Sequence, residues 1–207
     1  RLRHAIGTLA QLFATPVHAL QQVAQPALAA SITRGWDEAT LAPITHWLTD
    51  PQNHIVTLAD PDYPQALLNI PDPPILLYVK GRLELLNHPA LAVVGSRNAT
   101  PQGLSNAESF AQATSAAGLC IISGMAHGID AAAHRGGLRE SGSSIGIVGT
   151  GLDKVYPAAN RQLAHQLAQE GALISEFSLG TPPLAANFPR RNRLISGLSM
   201  GCLVIEA

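Results

Sequence analysis

The sequence predicts an α/β protein: a parallel sheet with helices on both faces, preceded by a small helical domain. Three observations carry this expectation. From residue 90 onward, five short apolar runs alternate with segments of helix length. The runs are apolar throughout rather than at every second position, so both faces of the sheet must be covered. Glycine, small hydroxyl and basic residues gather just past the ends of these runs, where an open parallel sheet binds its ligands.

Residues 1–50 read as helical. Leu9, Leu12, Phe13, Val17 and Leu20 recur at helical spacing, and Thr15-Pro16 is a helix start signal. A second helix is expected from about Pro26 to Ile32. A third is expected from Asp37 to Leu48, with Pro43 near its middle. The second domain, residues 51–207, opens with a proline-rich connector that holds two short apolar runs, His54 to Leu58 and Ile75 to Val79. Proline cannot donate to a strand ladder, so both runs are expected at the sheet edge. Strands are then expected at 90–95, 119–124, 144–150, 172–177 and 202–207. Helices are expected near 102–117, 129–140, 160–169 and 191–199. Repeats of this length imply right-handed strand–helix–strand units of a Rossmann-like sheet.

Composition narrows the function. Charged residues make up 13%, against roughly 25% in soluble domains, so part of the surface is expected to be covered by another chain. Net charge is −1 with His neutral, so any polyanion site must be local. Cys120 and Cys202 each sit inside an apolar run and read as buried free thiols in a reducing cytoplasm. No run approaches the ~18 apolar residues of a membrane span. The chain starts at Arg1 and stops inside an expected strand, which reads as a C-terminally truncated piece of a longer protein.

The loops past the strand ends carry the chemistry. They are Gly95-Ser96-Arg97 after the first strand, Ser123-Gly124 to Gly128-Ile129-Asp130 after the second, and Gly149-Thr150-Gly151 to Lys154 after the third. After the fourth come Ser175-Glu176 and then Phe188 to Arg193. Glycine lets a backbone approach a ligand closely, and amides at helix N-termini bind anions. Arg97, Lys154, Arg161, Arg190, Arg191 and Arg193 are six of the thirteen basic residues, and arginine forks match phosphate oxygens in pairs. Any one glycine pair could be a plain turn; three glycine-bearing loops at one sheet edge point to phosphate.

Catalytic chemistry is not expected. Ser96 and Ser123 lack a paired base. His127 and His134 are seven apart with no third ligand, so no metal is expected. Asp130 reads as a charge at a helix start, and Asp153 as a turn residue bonded to its own backbone. Glu176 is the one carboxylate placed like a general base, and ion pairing with a loop arginine is its expected role.

Taken together, these loops resemble the DNA-processing protein A family (DprA, also called Smf). The family's GSR is Gly95-Ser96-Arg97, its SGxAxGID is Ser123 to Asp130, and its GxGxDxxYPxxN is Gly149 to Asn160. Its SE is Ser175-Glu176, and its FPxRNRxIxxLS is Phe188 to Ser199. The connector matches through Tyr63-Pro64 and Pro73-Pro74 to Gly81. The likeness covers about residues 50–207; residues 1–50 resemble the family's sterile-alpha-motif-like domain more loosely. The resemblance implies sequence-independent binding of single-stranded DNA, a homodimer, and loading of RecA recombinase in natural transformation, with no cofactor. It carries DNA contact onto Arg97, Arg190 and Arg193. Gln102 departs from the family, which often has an aromatic there. Loops and resemblance together assign phosphate contact to Gly95, Ser96, Arg97, Ser123, Gly124, Gly128, Gly149, Gly151, Lys154, Asn160, Arg190, Asn192 and Arg193.

Two other readings use the same cradle. One is an enzyme of the nucleotide phosphoribohydrolase type, whose PGGxGTxxE signature is broken here: no PGG precedes Gly149-Thr150-Gly151 and no glutamate follows at the required spacing. The other is a sensor of a small nucleotide.

Overall fold

The computed structural model describes residues 9–35 and 38–207. The chain divides into two compact units, residues 1–46 and 47–207. In the first unit the described helices are α1 (Leu9–Ala14), α2 (Val17–Val23), α3 (Pro26–Arg34) and most of α4 (Glu38–Trp47). Pro16 and Pro26 stand at the starts of α2 and α3, where proline's missing N–H removes no helical bond. The Thr15-Pro16 break thus splits the expected first helix in two. Trp36 and Asp37, where the third helix was expected to start, lie outside the described residues, and α4 runs through Pro43.

The second unit is built on one seven-stranded mixed sheet in the order β1-β2-β6-β5-β4-β3-β7. Strands β3 (Ala90–Gly95), β4 (Cys120–Ser123), β5 (Ser144–Ile147), β6 (Ala172–Ser175) and β7 (Gly201–Ile205) are mutually parallel. Two antiparallel strands extend the sheet past β6: β2 (Leu76–Gly81), paired Tyr78 to Ser175, and β1 (Asn53–Thr57), paired Ile55 to Tyr78. The expectation that both connector strands lie at the edge holds for β1 and fails for β2. Pro73 and Pro74 precede β2 rather than sit in it, so all its N–H groups remain and it can pair on both sides.

The two faces are covered differently. Alternate residues Cys120, Ile122, Ile145, Ile147 and Ile174 face a core closed by the connector (Tyr63, Leu67, Leu85) and by α8 (Asn187–Gly197). The Tyr63 hydroxyl donates to the Pro74 carbonyl at 2.7 Å, which folds the connector onto itself. On the other face, Val93 and Ile121 meet α5 (Pro101–Ala116) and α6 (Ile129–Gly137), while Leu173 meets α7 (Arg161–Glu170). α5 starts with a Thr100 cap, whose hydroxyl accepts from Gly103 N at 3.0 Å, followed by Pro101. Its buried stripe is Gly103, Ala107, Ala111 and Ser115. These small side chains let α6 approach so closely that a Cβ on Gly136 would strike the Glu108 carbonyl.

In this chain β7 lies at the sheet edge, and Val204 is 55% exposed. Cys202 is exposed for the same reason, against the expectation of a buried thiol; Cys120, on an interior strand, is buried.

Candidate nucleic-acid interface

Strand order positions the site. From β3 the chain steps outward through β4, β5 and β6, then returns over the sheet in α8 to place β7 on the opposite side of β3. Such a reversal leaves a crevice at the C-terminal strand ends. There lies a recess lined by Arg97, Gly124, Met125, Ala126, His127, Tyr156, Pro157, Phe188 and Arg191. An adjoining open cleft shares Arg97, Ala126 and Arg191, and adds Val94, Gly95, Asp130, Asn192, Ile195, Ser196 and Cys202.

The floor is a buried polar cluster. Arg191, only 5% exposed, donates to the carbonyls of Gly124 and Ile147 at the ends of β4 and β5. Burial pulls its guanidinium down to about 10, with Asp130 acting against the shift, so it stays charged at neutral pH. Asp130, in the first turn of α6, accepts from Ala126 N at 3.1 Å. Burial raises its pKa, opposed by that bond and by Arg191. Asn160 Nδ2 donates to the carbonyls of Met125 (2.9 Å) and Ala126 (3.1 Å). The backbone from Gly124 to Ala126 is therefore held from three elements.

The glycines allow this close packing. A Cβ on Gly124 would lie 2.6 Å from the Arg191 guanidinium and 2.7 Å from the Asp130 carboxylate. Gly128 has φ +75° and would strike the Ser96 carbonyl; Gly95 would strike that of Ile205. Gly149 lies under Phe188 (3.1 Å), and Gly151 under Ser178 (2.7 Å) and Gly180 (3.0 Å). At each of these positions a side chain larger than hydrogen would meet the protein itself.

Of the residues assigned from sequence, Gly95, Arg97, Gly124 and Asn192 line the cleft. Arg97 is exposed and has no carboxylate within ion-pair distance among the described residues. The others stand behind or beside it. The Ser123 hydroxyl is buried on the Val93 carbonyl at 2.6 Å, and the Ser96 hydroxyl accepts from Asn98 N at 3.2 Å. Lys154 lies 3.8 Å from Asp153. Arg193 and Arg190 both meet Glu176 Oε2, at 2.5 and 3.3 Å, and Arg193 also reaches Asp72 at 3.6 Å. Glu176 is thus ion-paired, as expected. Asp153 is not bonded to its own turn as expected: it accepts from Gly180 N at 2.7 Å and ties down the long loop after β6.

Three residues of the cleft carry roles that the sequence did not assign. Arg191 stands with the other basic residues of the sheet edge in sequence, yet Arg191, Leu194, Ile195 and Leu198 have the spacing of one buried helical stripe; that spacing was the available signal. Tyr156, 48% exposed, and Phe188 form a tilted ring pair 5.7 Å apart at the recess wall. No periodicity marks them; each lies inside a motif quoted above. Among the described residues no group of three His, Cys, Asp or Glu could hold a metal ion, and no helix is long and apolar enough to cross a membrane.

Comparison with known proteins agrees with this architecture. Residues 54–207 match the model of the family described as DNA recombination-mediator protein A. The chain is 45% identical over 166 residues to Protein Smf of Synechocystis, covering 78% of this chain and 41% of the relative. It is 44% identical over 151 residues to the DNA processing protein DprA of Streptococcus pneumoniae, covering 73% and 53%. The chain thus spans about half the length of these relatives. The X-ray structure of the Streptococcus pneumoniae DprA superposes with a TM-score of 0.81 at 36% identity, covering 93% of this chain and 67% of that one. DNA processing protein A from Helicobacter pylori, described for its single-stranded-DNA binding mode, superposes with a TM-score of 0.66 at 31% identity, covering 73% and 68%. The chain belongs to the DNA recombination-mediator protein A family, known as DprA or Smf.

Proposed function

We propose that the cleft binds the backbone of single-stranded DNA without regard to base sequence. The observation that carries this reading is Arg97, exposed and without an ion-pair partner among the described residues, above the buried Arg191 charge and beside the Tyr156–Phe188 pair in one cleft. An arginine fork holds phosphate, and exposed aromatic faces take stacked bases of any identity. The Helicobacter pylori relative's described binding mode supports the same ligand. On the family resemblance, the whole protein acts in the cytoplasm as a homodimer that loads RecA recombinase on incoming strands during natural transformation. Faster RecA assembly on a single strand with the protein than without it is the expected result.

The test of the site is anisotropy titration with a labelled oligothymidylate and with mononucleotides. Arg97→Ala is expected to weaken oligonucleotide binding at least about tenfold, the loss of one charge-assisted contact. Log K should fall with log salt by roughly 0.7 per phosphate neutralised. Unchanged affinity in the variant refutes the assignment; tight binding of mononucleotides alone favours the sensor reading.

No catalytic step belongs to this reading. The Glu176 side chain is 3% exposed and ion-paired, Asp153 is bonded to Gly180 N, and Asp130 to Ala126 N. A base for hydrolysis needs a free carboxylate near the bond to be broken. Release of free base from AMP or CMP should not exceed background; turnover that disappears in Glu176→Gln would put the enzyme reading first.

A further inference from the structure

We propose, on the reading that the cleft holds single-stranded DNA, that His127 and Arg97 form a two-cation clamp on one backbone phosphate, whose His127 half acts only when the imidazole is protonated. The loops that carry the two residues are locked to each other. Ile129 N donates to the Ser96 carbonyl at 3.1 Å. Gly128 packs so tightly that a Cβ there would lie 2.8 Å from the Arg97 carbonyl. The His127 loop is also held by Asn160, Asp130 and Arg191. Both side chains therefore stand on fixed backbone and line the same recess. The imidazole is exposed and makes no hydrogen bond or ion pair with any described residue.

The groups around His127 set the direction of the effect. Arg97 faces it from the loop after β3, Arg191 from α8, and Tyr156 from the loop after β5. Asp130 of α6 is the one carboxylate among the lining residues, and it is turned to Ala126 N. A phosphate held between the imidazole and Arg97 favours the charged imidazole over the neutral one. Binding then takes up a proton, and affinity must rise as pH falls. Histidine is the side chain whose charge ordinarily changes between pH 5 and 8. His134, seven residues along, contributes nothing in that window: it is fully buried, and burial pushes it down to about 3.

The test is anisotropy titration of oligothymidylate at pH 6, 7 and 8 at constant ionic strength, with wild type and His127→Gln. Phosphodiesters and thymine do not change charge over this range. Wild type is expected to bind about tenfold tighter at pH 6 than at pH 8, the gain from converting one neutral contact to a charged one. The variant is expected to show a flat profile. Calorimetry in buffers of different ionisation enthalpy should show proton uptake by wild type that is lost in the variant. A flat wild-type profile with DNA still bound, or an equal slope in the variant, overturns the clamp and leaves the DNA reading standing. Absence of oligonucleotide binding at every pH overturns both.

Discussion

At the scale of single residues, burial separates groups that look alike in sequence. His134 Nδ1 lies 2.7 Å from Ser144 Oγ, which itself donates to the Ile121 carbonyl at 2.9 Å. The serine proton is thus spent, so Nδ1 carries the imidazole proton and Nε2 is bare, with no partner. Burial holds the native His134 near 3, while an unfolded histidine takes a proton near 6.5. The unfolded state therefore binds more protons as pH falls from 6.5 toward 3, and stability present above 6.5 is lost, by at most about 1.4 kcal/mol per pH unit for one group. Asp130, whose native pKa is raised, works in the opposite sense. Urea unfolding at pH 7.5, 6.5 and 5.5 should show the decline, with a shallower one in His134→Gln; equal slopes would refute the assignment. None of this was visible in the sequence, where His127 and His134 differ only in position. Arg97 was legible because a loop between strand and helix keeps a long cation in solvent. Arg191 was misjudged because its helix buries one face.

At the scale of elements, the loop after β4 depends on glycine at a backbone angle that other residues resist. Gly128 (φ +75°) faces the carbonyls of Ser96 and Arg97 at contact distance, while Gly118 (φ +87°) has nothing within 4 Å of its missing Cβ. Gly118→Ala should cost about 1 kcal/mol, the strain of the left-handed region alone. Gly128→Ala should cost more, up to about 3 kcal/mol, because the two loops must part. Thermal melts of both variants check this, and equal costs would remove the argument that the loops are locked. Element types were legible from the apolar runs, since the parallel strands need that pattern on both faces. Boundaries shifted where local chemistry intervened, as at Pro16 and in the one-turn earlier start of α8.

At the scale of the whole molecule, charged residues make up only 13% of the sequence, against roughly 25% in soluble domains, so part of the surface is expected to be covered by another chain. Light scattering on the full-length protein should show the homodimer proposed above. A monomeric wild type would refute the claim.

By itself, the sequence determined the class of fold, the family, and which loops meet at one sheet edge. These follow from local pattern: apolar runs of strand length, helix start signals, and motifs read in order. Tertiary structure decided the rest. It put β2 inside the sheet and Cys202 outside, because strand neighbours are chosen by long-range pairing that no local window contains. It showed how closely the glycine-rich loops pack against one another, because only the folded chain shows what stands where a Cβ would go. It also divided the arginines: Arg191 sits beneath the cleft, Arg190 and Arg193 are held by Glu176, and Arg97 stands open to a ligand. A charge's role depends on its partners and its exposure, and both are properties of the fold.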